Sequence, residues 1–200
     1  MNNFFGPLLS ALIGYLLGCF ATGLLVSKKA GVNIREKGSK STGATNVSRI
    51  LGIKKGLITF LGDFIKALLA VIIGTQIAGR DGALVAGLAA IIGHNWPLFF
   101  RFKGGKGISS SCAILLYLFP VPAIISFAAA LIVIIISKYV SLGSLTILSV
   151  SAAIVLFTKP FFPDAVFCIV ILLLGVIRHR SNLARLINGK ENKFSIKPND

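Results

Sequence analysis

Acidic side chains are scarce in this 200-residue chain: six Asp and Glu stand against 21 Lys and Arg, for a formal net charge of +15. There are two histidines, and the three cysteines (Cys19, Cys112 and Cys168) show no paired spacing. No metal site or disulfide framework is indicated, and each cysteine sits in an apolar block as a small buried hydrophobe. Residues 1–7 carry no basic region of the kind that opens a cleaved signal peptide. Charge is also missing from long stretches, while 55% of residues are hydrophobic and the mean hydropathy is +0.87. A soluble domain of this length cannot bury so much apolar surface, so lipid must be the solvent for most of the chain. No stretch is long enough for a second, soluble domain, and one membrane domain over residues 1–200 is expected.

Seven apolar segments can be drawn, over residues 4–26, 56–78, 82–100, 108–119, 122–136, 143–157 and 163–177. A span takes about 20 apolar residues. The expected fold is therefore all-α, a polytopic transmembrane helix bundle of seven spans. The alternative has five spans plus a re-entrant hairpin, formed if the short fourth segment pairs with the fifth. With the N-terminus outside, the inner segments are residues 27–55, 101–107, 137–142 and 178–200. Every basic residue except Lys66, Arg80 and Lys159 falls in them, as the positive-inside rule requires. The outer charges pair off as Arg80 with Asp81 and Lys159 with Asp164. Scattered inner lysines also suit anionic lipid. Asp63 and Lys66, three apart inside a span, are read as an internal ion pair supporting the first inner loop.

Three inner loops carry more than topology. The first, GSKSTGATNVSR over residues 38–49, crowds glycines, hydroxyls and Asn46 before Arg49. Such a loop can turn successive backbone amides toward an anion, and Arg49 can grip a phosphate bidentately. The second, GHNWPLFFRFKGGKG over residues 93–107, puts Lys103 and Lys106 on either side of Gly104 and Gly105. It is not a nucleotide-binding P-loop, because Gly107 stands where Ser or Thr should follow the lysine. The third, HRSNLARLINGKE over residues 179–191, is expected to lie on a helix with Arg178, Asn182 and Arg185 on one face and His179 beside it. A polar turn at residues 137–144 adds Ser141. Each loop has a plainer reading, as a solvated connection or a flank that snorkels its arginines into headgroups.

Taken together, the loops resemble the three inner motifs of the bacterial acyl-phosphate:glycerol-3-phosphate acyltransferases, the PlsY family. The second and third motifs are matched throughout, and order, spacing and intervening apolar blocks match along nearly the whole chain. The first matches at Gly38, Ser39, Gly43, Ala44, Thr45, Asn46 and Arg49, but has Lys40 where the family usually has Gly and Ser41 where it usually has Asn. The resemblance implies acyl transfer from acyl phosphate to glycerol 3-phosphate at the cytoplasmic face of the bacterial inner membrane, giving lysophosphatidic acid and phosphate. Ser39, Arg49, His179 and Asn182 are then the expected catalytic residues. Gly38, Thr42, Gly43, Thr45, Asn46, His94, Lys103, Gly104, Gly105, Lys106, Ser141, Arg180, Arg185 and Glu191 are the expected substrate contacts. Partners are the two substrates and membrane lipid, with no cofactor, metal or nucleic acid, and the oligomeric state is left open.

The residues agree with that chemistry. Two phosphates brought together repel, and several cations are needed to hold them. Arg49, Lys103, Lys106, Arg180 and Arg185 supply them, while Ser39, Thr45, Asn46 and Asn182 offer donors to a tetrahedral oxyanion. No Ser-His-Asp set is readable, and the soluble glycerolipid acyltransferase pattern of His followed five residues later by Asp is absent, since Phe99 follows His94 and Ala184 follows His179. Acyl phosphate is already activated, so direct attack needs no covalent intermediate, with His179 as the competing general base. Three rivals stand beside this reading: an anion transporter, a lipid-binding scaffold and an acyltransferase with a thioester donor.

Overall fold

The computed structural model describes residues 4–158 and 162–193. The expected outer charge Lys159 and the inner Lys197 and Asp200 lie outside the described residues. Those described are helical apart from short connections, and they fall into two compact units, the first ending at Ile114 and the second beginning at Leu115.

In the first unit, α1 (Phe5–Gly18) buries Gly6, Ser10, Gly14 and Gly18, a small residue every fourth position. That stripe lets backbones touch: a methyl on Gly14 or Gly18 would overlap Ala86 or Ala90. In lipid no hydrophobic force drives helices together, so such close van der Waals packing is what holds them. The apolar run does not continue unbroken to Val26. It breaks after α1, and α2 (Thr22–Lys29) leads to the first loop, followed by the short α3 (Ala44–Leu51). Next, α4 (Ile53–Asn95) is helical over 43 residues except at Ala78 (φ −144°, ψ 31°) and Gly79 (φ 59°, ψ −140°). A straight helix of that length would run about 65 Å, twice the hydrocarbon thickness. The chain instead doubles back at Gly79, whose positive φ a side chain would resist. Gly74 and Gly82 then meet backbone to backbone, and Lys66 lies across from His94. Tyr15 Oη donates to the Trp96 carbonyl at 3.0 Å, tying α1 to the end of the second arm.

After a short 3-10 turn at Leu98–Phe100 and the second loop, α5 (Ile108–Leu118) is 11 residues long, about 16 Å, and by itself too short to cross. The second unit holds α6 (Pro120–Ser137), α7 (Val140–Thr158), α8 (Phe162–Arg178) and α9 (Arg180–Ile187). Two buried hydroxyls, Ser126 and Ser151, join α6 to α7 at 2.9 Å, and Leu148 of α7 closes over Gly175 of α8. Outward faces are apolar, with Ile132, Ile135 and Ile136 of α6 all exposed, as a lipid-facing surface should be.

Four helices among the described residues are long and apolar enough to cross a membrane, or five if α8 and α9 count as one bent span. That is fewer than the seven expected from the apolar runs, because α4 is a single 43-residue element by length and α5 is short. A second expectation is corrected outright. Arg178, Asn182 and Arg185 do not share one helical face: Arg178 ends α8, the axis turns by 61°, and α9 begins after His179.

Candidate active site

The first loop is built around Asn46, which is 2% exposed. Its Oδ1 accepts from the Ser39 amide at 2.9 Å. Its Nδ2 faces three carbonyls, Ser41 at 2.9 Å, Lys37 at 3.1 Å and Ile34 at 3.4 Å. The side chain expected to meet a ligand is thus the staple that folds residues 34–41 around themselves. Gly38 (φ 57°) lies against it, leaving no room for a β-carbon beside Oδ1. Lys40 also has φ 57°, the left-handed backbone its replacement of a family glycine would call for. Ser41 Oγ accepts from the Gly43 amide at 3.3 Å. Thr42 is buried, with its carbonyl against Gly23 of α2. What the loop presents is the start of α3. No side chain caps it at Gly43, so its first amides and dipole suit an anion. Ser39 is half-buried and Thr45 exposed there, and Arg49 is half-buried on the same helix.

The second loop folds back on the end of α4. The Gly104 amide donates to the Asn95 carbonyl at 3.2 Å and the Gly105 amide to the His94 carbonyl at 3.1 Å. Gly105 presses on the imidazole, where a methyl would overlap Nε2. His94 itself is 6% exposed and belongs to a buried cluster with Asp63 and Lys66. Lys66 Nζ is 2.8 Å from Asp63 Oδ1 and 3.1 Å from His94 Nδ1, and Asp63 Oδ1 is 3.5 Å from the same ring nitrogen. The ammonium also donates to the carbonyls of Gly18 at 2.9 Å and Phe20 at 2.5 Å, where α1 has ended and left them without helical partners. The Asp63–Lys66 pair is present, but it braces the α1 break and the floor of the second loop. His94 is the wall under Gly105 more than a group facing outward. Lys103 is exposed and Lys106 half-buried on that loop.

In the second unit Glu191 is the organising group. Its Oε1 accepts from Asn182 Nδ2 at 2.7 Å and from Ser141 Oγ at 3.0 Å, and its Oε2 from Arg185 Nε at 2.8 Å. Gly189, at φ 65°, turns the chain after α9 so that Glu191 returns to it. His179 is 2% exposed, with Nδ1 2.8 Å from the Gly175 carbonyl. A carbonyl only accepts, so Nδ1 carries a proton. Arg180 is exposed.

One participant had not been singled out. Arg35 reaches from the first loop to the backbone of the second, and its signal in the sequence was only one cation among many. Its partners are carbonyls 65 and 68 residues away, which no local pattern reveals.

Apolar helices long enough to cross a membrane, joined by basic, glycine-turned loops, define a membrane protein whose loops suit anions. Residues 8–189 match the family described as glycerol-3-phosphate acyltransferase. The glycerol-3-phosphate acyltransferase of Thermoanaerobacter sp. (strain X514) is 39% identical over 193 residues, covering 94% of this chain and 96% of that one. Two crystal structures of PlsY (YgiH), an integral membrane glycerol 3-phosphate acyltransferase, are similar. The glycerol 3-phosphate form has TM-score 0.90 at 35% identity, over 94% of this chain and 96% of that one. The lysophosphatidic acid form has TM-score 0.87 at 34% identity, over 95% and 96%. This chain belongs to the glycerol-3-phosphate acyltransferase family.

Proposed function

We propose that this chain transfers a fatty acyl group from acyl phosphate to a hydroxyl of glycerol 3-phosphate, releasing 1-acylglycerol 3-phosphate and inorganic phosphate. The observation carrying this reading is that Arg35 ties the segment leading to the uncapped α3 start to the loop that carries Lys103 and Lys106, in a fold shared with the glycerol 3-phosphate form of such an enzyme. Family membership sets aside the transporter and scaffold readings.

The substrate hydroxyl oxygen attacks the acyl carbonyl carbon. The bond from that carbon to the phosphate oxygen breaks, and the departing phosphate takes up the hydroxyl proton. Cations at Arg49, Lys103, Lys106, Arg180 and Arg185 hold the phosphates, and donors at Ser39, Thr45 and Asn182 stabilise the oxyanion. Glu191 and Ser141 fix Asn182 and Arg185, while Gly38, Thr42, Gly43, Asn46, His94, Gly104 and Gly105 shape the binding loops. His179, held by its Nδ1 against the Gly175 carbonyl, is the alternative proton acceptor. The pH dependence of kcat in His179→Asn separates the two routes. An acyl group trapped on Ser or Cys would refute direct attack. No cofactor takes part.

Taking each arm of α4 and α5 as separate segments, we read seven spans, with the positive-inside rule favouring an N-terminus outside a bacterial cytoplasmic membrane and the basic loops at its inner face. Residues 1–200 are read as one membrane acyltransferase domain. The test is purified protein in lipid with glycerol 3-phosphate and, in turn, acyl phosphate, acyl-CoA or acyl-carrier protein. Lysophosphatidic acid from acyl phosphate is the expected product; turnover with a thioester donor alone would overturn the assignment.

A further inference from the structure

We propose that Arg35 is a positioning residue that locks the Lys103–Lys106 loop to the first loop in the orientation needed for glycerol 3-phosphate. The inference rests on the function proposed above.

Arg35 Nη2 donates to the Phe100 carbonyl at 3.0 Å and also to the Lys103 carbonyl. One nitrogen therefore pins both ends of the turn leading into the glycine pair. The guanidinium lies 5.9 Å from the centroid of the Phe100 ring, within cation–π range. Between those two carbonyls stand Arg101 and Phe102, both at φ 56°. Two consecutive left-handed residues with side chains are disfavoured and persist only where their surroundings hold them. Within the turn the Phe100 and Phe102 amides donate to the Pro97 carbonyl at 3.1 and 3.0 Å and the Lys103 amide to the Phe100 carbonyl at 3.3 Å, so Arg35 adds a second donor at Phe100 and extends the hold to the Lys103 carbonyl.

Arg35 is itself held. Asn46 Nδ2 faces the carbonyls of Ile34 and Lys37, on either side of it, and the Arg35 amide donates to Asn33 Oδ1 at 3.3 Å. Burial, and then the neighbouring Arg101, hold the guanidinium below the ordinary arginine value, yet it remains a cation at any working pH. Asn46 staples the first loop, Arg35 extends from that staple, and the second loop hangs on Arg35. A phosphate gripped by both loops meets a preset spacing, and a loose second loop must pay that ordering entropy at binding.

The test is Arg35→Met and Arg35→Lys in lipid nanodiscs. Methionine keeps apolar bulk and removes the donors; lysine restores a cationic donor. Arg35→Met should raise KM for glycerol 3-phosphate by about 10- to 100-fold with kcat changed by less than about threefold. Amide exchange should speed up over residues 100–107 while the arms of α4 stay as protected as in the wild type. Arg35→Lys should recover most of the KM. An unchanged KM, or faster exchange throughout the first unit, would overturn the proposal. Should wild-type protein make no lysophosphatidic acid in the same assay, the proposed function fails, and the exchange pattern still decides whether Arg35 holds the loop.

Discussion

Gly105 rests directly on the His94 imidazole, and a single added methyl would occupy the space of Nε2. The ring cannot swing away freely, because Lys66 lies 3.1 Å from its Nδ1. Gly105→Ala should therefore displace the second loop and lower kcat/KM by about 100-fold, the loss that a displacement of about 1 Å can bring. Combining it with His94→Ala should relieve part of the loss. Gly104→Ala meets the His94 backbone carbonyl instead, so His94→Ala should not relieve it. Steady-state assays of the single and double variants check this.

Lys66 makes the sharpest stability prediction. Replacing it with Met leaves the buried Asp63 carboxylate facing only His94 at 3.5 Å and strips the Gly18 and Phe20 carbonyls of their donor. Breaking one side of a buried pair costs about 3–5 kcal/mol. Removing both charges, as in Asp63→Leu with Lys66→Met, should cost less than Lys66→Met alone. Thermal unfolding in detergent reads the difference; a double variant worse than the single would contradict the assignment.

Lys40 sits at φ 57°, where glycine is at ease and a β-carbon is not. Lys40→Gly should stabilise the protein by up to about 1 kcal/mol, since the left-handed penalty is of order 1–2 kcal/mol and glycine's greater freedom when unfolded offsets part of it. Turnover should stay within about twofold of wild type. A lower unfolding midpoint would show that the lysine side chain contributes contacts of its own.

Glu191 accepts from Ser141, Asn182 and Arg185 together. Glu191→Gln offers one acceptor oxygen and turns an amide donor toward either Arg185 or Asn182. Asn182 and Arg185 then lose their shared alignment. We expect kcat to drop by about 100-fold with little change in unfolding temperature. Glu191→Asp, one methylene shorter, should not restore the rate.

Much of this was readable before any coordinates. Apolar blocks and charge placement gave helices separated by basic loops, and glycines beside lysines are the basis on which the loops are proposed to bind anions. Three things escaped. Composition could not say whether Asn46 faces a ligand or staples its own loop, because both uses need the same amide. The turn at His179 was read as continuous helix, since the break follows from backbone geometry and no proline or glycine marks it. Arg35 was invisible because it recognises carbonyls, and every residue has one. His94 was expected at the site, but its membership of the Asp63–Lys66 cluster depends on the doubling back at Gly79.

Phosphate capture by the first two loops underlies the proposed transfer. Equilibrium binding of radiolabelled glycerol 3-phosphate to protein in neutral lipid nanodiscs tests this most directly. Wild-type protein should bind, with affinity falling as salt rises, and Arg49→Ala and Lys106→Ala should each weaken binding by about 10- to 100-fold, as loss of a charge-assisted bond of about 1.5–3 kcal/mol requires. Unchanged affinity in both variants, or equal competition by uncharged glycerol, would contradict it.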